Sequence, residues 1–101
     1  MRIYTRKELA KELKQILSKQ QIELSTKEIE EVILSLMKFL EEKLKNFEDI
    51  RVELKPYGAF MTRNRKLPPT PNKTKNAHKG GERTYIFFKS GKKLKIDIVA
   101  L

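Results

Sequence analysis

Residues 51–66 read RVELKPYGAFMTRNRK, and the spacing of apolar residues within this stretch decides the class of fold. Val52 and Leu54 alternate with charged residues, a period of two that predicts a half-buried strand. The PYG that follows at 56–58 predicts a turn, because proline and glycine favour tight turns. A second strand is then expected over about 59–66, so this part of the chain is a β-hairpin.

The second predicted strand carries two arginines on one face. Successive side chains of a strand point to opposite faces, so Arg63 and Arg65 lie on the same face as Met61. Phe60 falls on the other face. Two guanidinium groups are therefore expected to project together from a sheet whose reverse carries an aromatic ring.

Upstream of residue 51 the apolar spacing is helical. Two capping boxes, TRKE at 5–8 and STKE at 25–28, predict the starts of helices that end near Lys19 and Asn46. The first helix has a single apolar stripe and the second a wide apolar arc: the stripe is Leu9, Leu13, Ile16 and Leu17, and the arc is Ile29, Val32, Ile33, Leu36, Met37, Phe39, Leu40 and Leu44. An arc this wide needs two covering surfaces. The first helix supplies one, and we expect a second subunit to supply the other.

Downstream, residues 67–83 combine the remaining prolines with a pair of glycines and lack apolar periodicity, which predicts an extended basic arm. TYIFF at 84–88 predicts a third strand, and SGK at 90–92 introduces a predicted short C-terminal helix. The expected fold is α+β, with a three-stranded antiparallel sheet. The chain is predicted to be a single domain, 1–101, with a helical dimerisation part (1–49), a sheet (50–90) carrying the arm (67–83), and a C-terminal helix (91–101).

The formal net charge of +10 lies entirely in the second half of the chain. Residues 1–50 hold ten basic and ten acidic residues, whereas residues 51–101 hold thirteen basic and three acidic. No acidic residue occurs between Glu53 and Glu82. A solubilising surface of the thermophile type would raise lysine and glutamate together, which is not seen here. The one-sided charge predicts a polyanionic partner, nucleic acid above all.

Composition argues against a catalytic or metal site and against a membrane-spanning segment. The chain has no cysteine, which excludes disulfides and thiolate sites, and no stretch approaches the roughly 20 apolar residues of a membrane span. No nucleophile–base pair, paired carboxylates or metal-ligand spacing can be assembled. We therefore expect a cytoplasmic protein that is not an enzyme and has no metal, cofactor or small-molecule substrate.

Three motifs in the second half resemble the HU/IHF family of bacterial DNA-bending proteins. YGAF at 57–60 is similar to the family's G-F-G-x-F turn, RNRK at 63–66 to its R-x-R, and FKSGKKLK at 88–95 to its F-K-P-G-K-x-L-K. Pro56 and Ser90 depart from these patterns, and PPTPNKTK at 68–75 replaces the family's arm tip, R-N-P-x-T-G-x-E-I. The resemblance implies a nucleoid-associated, IHF-like intertwined dimer, homodimeric or heterodimeric, that binds double-stranded DNA largely without sequence specificity and bends it with its arms.

The candidate DNA-binding residues follow from charge, spacing and this resemblance. Basic side chains would neutralise phosphates, Gly91 would begin a helix whose free amides bind an anion, and Pro71 would wedge between base pairs, with Pro69 as the alternative wedge. The full set is Arg63, Arg65, Lys66, Pro71, Lys73, Lys75, Lys79, Arg83, Lys89, Gly91, Lys92 and Lys95. Two other functions stay open: an RNA-binding module, and a helical-dimer scaffold with a disordered basic arm.

Overall fold

The computed structural model describes residues 1–68 and 81–99. Their elements, in chain order, are α1 (Arg6–Lys19), α2 (Thr26–Lys45), β1 (Arg51–Leu54), β2 (Gly58–Leu67), β3 (Gly81–Ser90) and a 3₁₀ helix (Lys92–Leu94). The chain divides into two compact units, Met1–Glu41 and Glu42–Leu101. Helices followed by an antiparallel sheet confirm the predicted α+β class.

Both helices begin at the predicted capping boxes, which differ in detail. Before α2, the Ser25 amide donates to Glu28 Oε1 at 3.0 Å and the Glu28 amide donates to Ser25 Oγ at 3.1 Å, so both exchanges of the motif are made. Before α1, the Glu8 amide donates to Thr5 Oγ1 at 3.2 Å, but the Glu8 carboxylate accepts from the Thr5 hydroxyl. The hydrogen bond from the Ser25 amide is the main cause of a lowered pKa at Glu28.

Both helices end in a Schellman motif without glycine. After α1, the Ile22 amide donates to Leu17 O at 2.9 Å and the Gln21 amide donates to Ser18 O at 3.0 Å. Gln21 takes a left-handed backbone, with φ 63°. Phe47, with φ 55°, closes α2 in the same way. At both helix ends these amides donate to carbonyl groups of the last turn. The left-handed position, which favours glycine, is nevertheless occupied by a residue with a Cβ.

The wide apolar arc of α2 is only partly covered. Ile29 and Leu40 are buried, as is Ala10 of α1. Val32 is 63% exposed and Met37 is 45% exposed. The helices therefore bury one side of the arc and leave the other side accessible. The width of the arc in the sequence predicts such an uncovered side.

The sheet has the order β1-β2-β3 and is antiparallel throughout. Its longer ladder pairs β2 with β3 from Gly58 opposite Ser90 to Leu67 opposite Gly81. The predicted arm boundaries were therefore wrong at both ends, because Leu67 and residues 81–83 belong to the ladder. Aromatic and β-branched residues dominate only the middle of β3. The first residues of β3 therefore lie in the strand because they pair with β2, and not because of their own strand propensity.

Two glycines allow close backbone contacts near the turn between β1 and β2. A Cβ at Gly58 would overlap Lys89 O and would lie 2.6 Å from Phe88 Cζ. A Cβ at Gly91 would lie 2.6 Å from Pro56 O. Each glycine thus permits a backbone approach that no other residue would allow.

The predicted C-terminal helix over 91–101 is reduced to the single 3₁₀ turn Lys92–Leu94. Lys95 already has an extended backbone, with φ −132° and ψ 138°, and residues 95–99 form no helix. Ile96, Ile98 and Val99 are β-branched and alternate in part with charged residues, a pattern that favours extended backbone over helix. The expectation of a longer helix was wrong because it assigned a period of 3.6 to residues whose period is two.

Candidate nucleic-acid interface

The sheet register brings several predicted site residues onto one face. Residues directly opposite each other in an antiparallel ladder share a face. The cross-strand pairs on this face, which we call the basic face, are Ala59–Lys89, Met61–Phe87, Arg63–Tyr85 and Arg65–Arg83. Four of the predicted cations, Arg63, Arg65, Arg83 and Lys89, therefore project together, and all four are exposed.

Aromatic rings hold one of these cations in place. The guanidinium carbon of Arg63 lies 4.6 Å from the centroid of the Phe87 ring. The Tyr85 ring lies 6.5 Å from that of Phe87. This cation–π contact restricts the position of the Arg63 guanidinium, whose N–H groups are donors suited to phosphate.

Arg65 and Arg83 oppose each other without compensation. Like charges directly across a ladder are destabilising. Among residues 1–68 and 81–99, no carboxylate forms an ion pair with Arg63, Arg65, Arg83 or Lys89. The basic face thus brings unpaired cations together, and an anionic ligand would reduce the repulsion among them.

Glu53 is the only carboxylate that the described strands place on this face, and it is already neutralised. Its carboxylate contacts Arg51 Nε at 3.0 Å and Lys55 Nζ at 3.3 Å. The hydrogen bond from Arg51 is the largest cause of a lowered pKa at Glu53, followed by the one from Lys55. The acid therefore does not offset the charge of the four unpaired cations.

Lys66 is separated from the other predicted residues of β2. It lies opposite Glu82 on the reverse face of the sheet, where Asn64 Nδ2 also donates to Glu82 Oε2 at 3.3 Å. The reverse face is apolar towards the turn, with the rings of Phe60 and Phe88 5.1 Å apart. The structure therefore does not bring Lys66 together with Arg63 and Arg65.

Gly91 immediately precedes the 3₁₀ helix, but its own amide is not free. The Gly91 N–H donates to Tyr57 O at 2.6 Å, so this group is not available to an anion. Gly91 is explained by its close approach to the turn at Pro56. Lys92 and Lys95 lie in and just after the 3₁₀ helix and are exposed.

Four predicted residues lie outside the described part of the chain, namely Pro71, Lys73, Lys75 and Lys79, as does the alternative wedge Pro69.

Sequence reasoning missed the role of two aromatic residues. The sequence predicts a strand over 84–88 without assigning Tyr85 and Phe87 a face, and of the three aromatic residues only Phe88 faces the apolar side of the sheet. The period of two places Tyr85 and Phe87 together on the face opposite Phe88. Only the register with β2 shows that this is the arginine face.

The described residues hold neither a membrane-spanning helix nor a metal-binding cluster. No helix in that part of the chain is long and apolar enough to cross a membrane. In the same residues, no group of three or more histidine, cysteine, aspartate or glutamate side chains is placed to hold a metal ion.

Comparison with known proteins agrees with the geometry of the basic face. The sequence profile of the bacterial DNA-binding protein family matches residues 4–98. The chain belongs to this family. Two similar members of the bacterial DNA-binding protein family are the integration host factor beta subunits of Haemophilus influenzae strains PittEE and 86-028NP. Each is 34% identical over 93 residues, covering 88% of this chain and 96% of the relative. The predicted HU/IHF resemblance is confirmed.

Proposed function

We propose that this protein is an architectural protein that binds duplex DNA through the basic face, largely without sequence specificity, in the bacterial nucleoid. The observation that carries the proposal is a group of four exposed cations to which the described residues supply no carboxylate partner, namely Arg63, Arg65, Arg83 and Lys89. Such a group binds the phosphate backbone, which gives affinity without reading bases. Membership of the bacterial DNA-binding protein family supports the same conclusion.

The spacing of the arginines suits separate phosphates. Arg63 and Arg65 are two residues apart on an extended strand, a rise of about 6.8 Å. Arg63 is stacked on Phe87, so its orientation is set before DNA arrives. Arg65 lies opposite Arg83, and binding a phosphate between them would remove their repulsion. Each of these phosphate contacts would release counterions and make binding dependent on salt.

The proposed binding unit is a dimer formed through the helices. Val32 and Met37 of α2 are exposed apolar residues on the side of the arc that α1 leaves uncovered. The relatives named above are subunits, which supports assembly with a second chain, identical or similar. Sedimentation at micromolar concentration is expected to give two subunits, and a cooperatively melting monomer would contradict the proposal.

Bending is proposed to depend on the segment between β2 and β3. There Pro71 would wedge between base pairs, while Lys73, Lys75 and Lys79 would attract the duplex without regard to sequence. Pro71→Ala is expected to weaken binding to intact linear duplex more than to nicked duplex, because a nick already relieves the cost of unstacking. An unchanged ratio for Pro71→Ala, with a changed ratio for Pro69→Ala, would move the wedge to Pro69.

The proposed phosphate binding is tested by the salt dependence of affinity. Arg63→Ala/Arg65→Ala is expected to reduce the slope of log K against log[salt] by roughly 2, at about 0.9 for each phosphate that the variant no longer neutralises. The matched control is Lys27→Ala/Lys38→Ala, which removes two exposed charges from α2. Its slope should stay close to that of the parent. Equal changes in the two variants would mean that net charge alone governs binding.

A competition assay separates DNA from the RNA alternative. Bent and nicked duplexes should displace labelled linear DNA better than structured RNA does, because the proposed contacts depend on a duplex that curves onto the protein. Stronger displacement by structured RNA would favour an RNA-binding module.

A further inference from the structure

The segment that follows the 3₁₀ helix, residues 95–99, has the sequence pattern of a strand but no strand partner in the described part of the chain. Its backbone is extended at Lys95. Ile96 and Ile98 are 88% and 93% exposed, although isoleucine is among the residue types most often buried. Charged Lys95 and Asp97 alternate with them. This is the pattern of a half-buried edge strand.

The sheet offers an open edge to such a strand. Within residues 1–68 and 81–99, the order β1-β2-β3 leaves one side of β1 without a neighbouring strand. The Thr62 amide donates to Ile50 O at 3.2 Å, and the Ile50 amide donates to Thr62 Oγ1 at 3.1 Å, so the backbone of Ile50 faces β2. Backbone groups alternate sides along a strand, so the N–H and C=O groups of Arg51 and Glu53 face the open edge. Unpaired groups of this kind template the addition of another chain.

We propose that residues 95–99 of one copy of this chain add to β1 of a second copy as an antiparallel strand. In the proposed register Lys95 lies opposite Glu53 and Asp97 lies opposite Arg51. Both cross-strand pairs then join opposite charges. These same two pairs would be the hydrogen-bonded pairs of the ladder, because the backbone N–H and C=O groups of Arg51 and Glu53 face the open edge.

Charge selects this register over its neighbours. A slip of two residues one way places Lys95 opposite Arg51, and a slip of two the other way places Asp97 opposite Glu53, so each brings like charges together. A slip of one residue places the charges of one strand opposite isoleucine, leucine or valine of the other. Opposite charges meet at both positions only in the proposed alignment.

The same register places the apolar side chains together. Ile96 lies opposite Val52, and Ile98 lies opposite Ile50. Val52 is itself opposite Phe60, so these side chains would extend the apolar reverse face of the sheet. Two isoleucines that are now almost fully exposed would be covered on at least one side.

A second copy is the occupant because, in the part of the chain that the structure describes, the segment has no strand partner and the outer edge of β1 is open. A contact from the segment of one copy to the edge of the next is heterologous, so it can repeat from copy to copy. The contact needs no DNA and uses none of the proposed phosphate-binding arginines. Its test is therefore independent of the proposed function.

Cysteine pairs test this association directly, because the chain has no cysteine of its own. The pair formed by residues 52 and 96 would not be hydrogen-bonded, and its Cα atoms would be about 4.5 Å apart, within disulfide range. Mixing V52C chains with I96C chains under mild oxidation, without DNA, is expected to give disulfide-linked pairs. The matched control mixes V52C with D97C, whose side chain would point to the other face, and should give few.

The double variant V52C/I96C distinguishes the two possible partners. A ladder of linked chains on a non-reducing gel supports pairing between copies. A cross-link within single chains alone, no cross-link, or equal cross-linking of the D97C control would overturn the proposal.

Charge reversal gives a second test that does not depend on disulfide geometry. R51D alone and D97R alone should each weaken self-association by about fivefold, because each places like charges opposite one another. A mixture of R51D and D97R chains should recover the association, since each edge then meets a segment of opposite charge. Unchanged self-association in R51D and D97R, or no recovery in their mixture, would overturn the proposal.

Discussion

Arg63 and Arg65 are two residues apart on the same face of β2, yet they should have opposite effects on the stability of the protein without DNA. Arg65 lies directly opposite Arg83, where like charges repel. Arg63 lies opposite Tyr85 and stacks on Phe87 with its guanidinium carbon 4.6 Å from the ring centroid. Replacing each arginine by threonine, which is well tolerated in strands, isolates the two environments.

The expected magnitudes follow from these two environments. Arg65→Thr should raise the free energy of unfolding by about 0.2–1 kcal/mol, the range for removing an unfavourable cross-strand pair. Arg63→Thr should lower it by about 0.5–1 kcal/mol, the contribution of an exposed cation–π contact. The double variant should therefore change stability little, although both arginines are proposed to bind DNA.

Urea unfolding without DNA measures both effects, since the transition midpoint reports the change when the slope is unaltered. The gain from Arg65→Thr should fade at about 1 M salt, where the Debye length shrinks to about 3 Å. Duplex binding by the same variant should weaken despite the higher stability. A loss of stability for Arg65→Thr at low salt, or a gain of equal size at both salt concentrations, would refute the assignment of repulsion to the Arg65–Arg83 pair.

Three further changes test how the elements begin, end and join. Gly91→Ala should lower the free energy of unfolding by about 1–3 kcal/mol, because its Cβ would meet Pro56 O at 2.6 Å. Gly81→Ala, whose Cβ meets nothing within 4 Å, is the control in the same urea assay, and equal losses would contradict the packing role of Gly91. Gln21→Gly should raise stability by about 1 kcal/mol by relieving a left-handed backbone, and a loss would show that the side chain matters more than φ. The pKa of Glu28 is lowered in the fold, so its contribution should be complete above the ordinary value of 4.5 and be lost as pH falls through the lowered pKa. Urea titrations across that range should show this loss in the parent and not in Glu28→Gln.

Features that depend on near neighbours could be predicted from the sequence alone. The capping boxes at Thr5 and Ser25 located the starts of both helices, because a cap is satisfied by a residue three positions away. The period of two placed Arg63 and Arg65 on one face without knowledge of the partner strand. The motifs of the second half were enough to predict the family.

Features that depend on residues far apart in the chain required the tertiary structure. The β2–β3 register set Arg65 against Arg83 and Lys66 against Glu82, and neither pairing can be derived from one strand alone. The hydrogen bond from the Gly91 amide to Tyr57 O joins residues 34 positions apart, so no local pattern indicates it. Periodicity and capping are properties of one segment, whereas register and close backbone approach arise only when two segments meet.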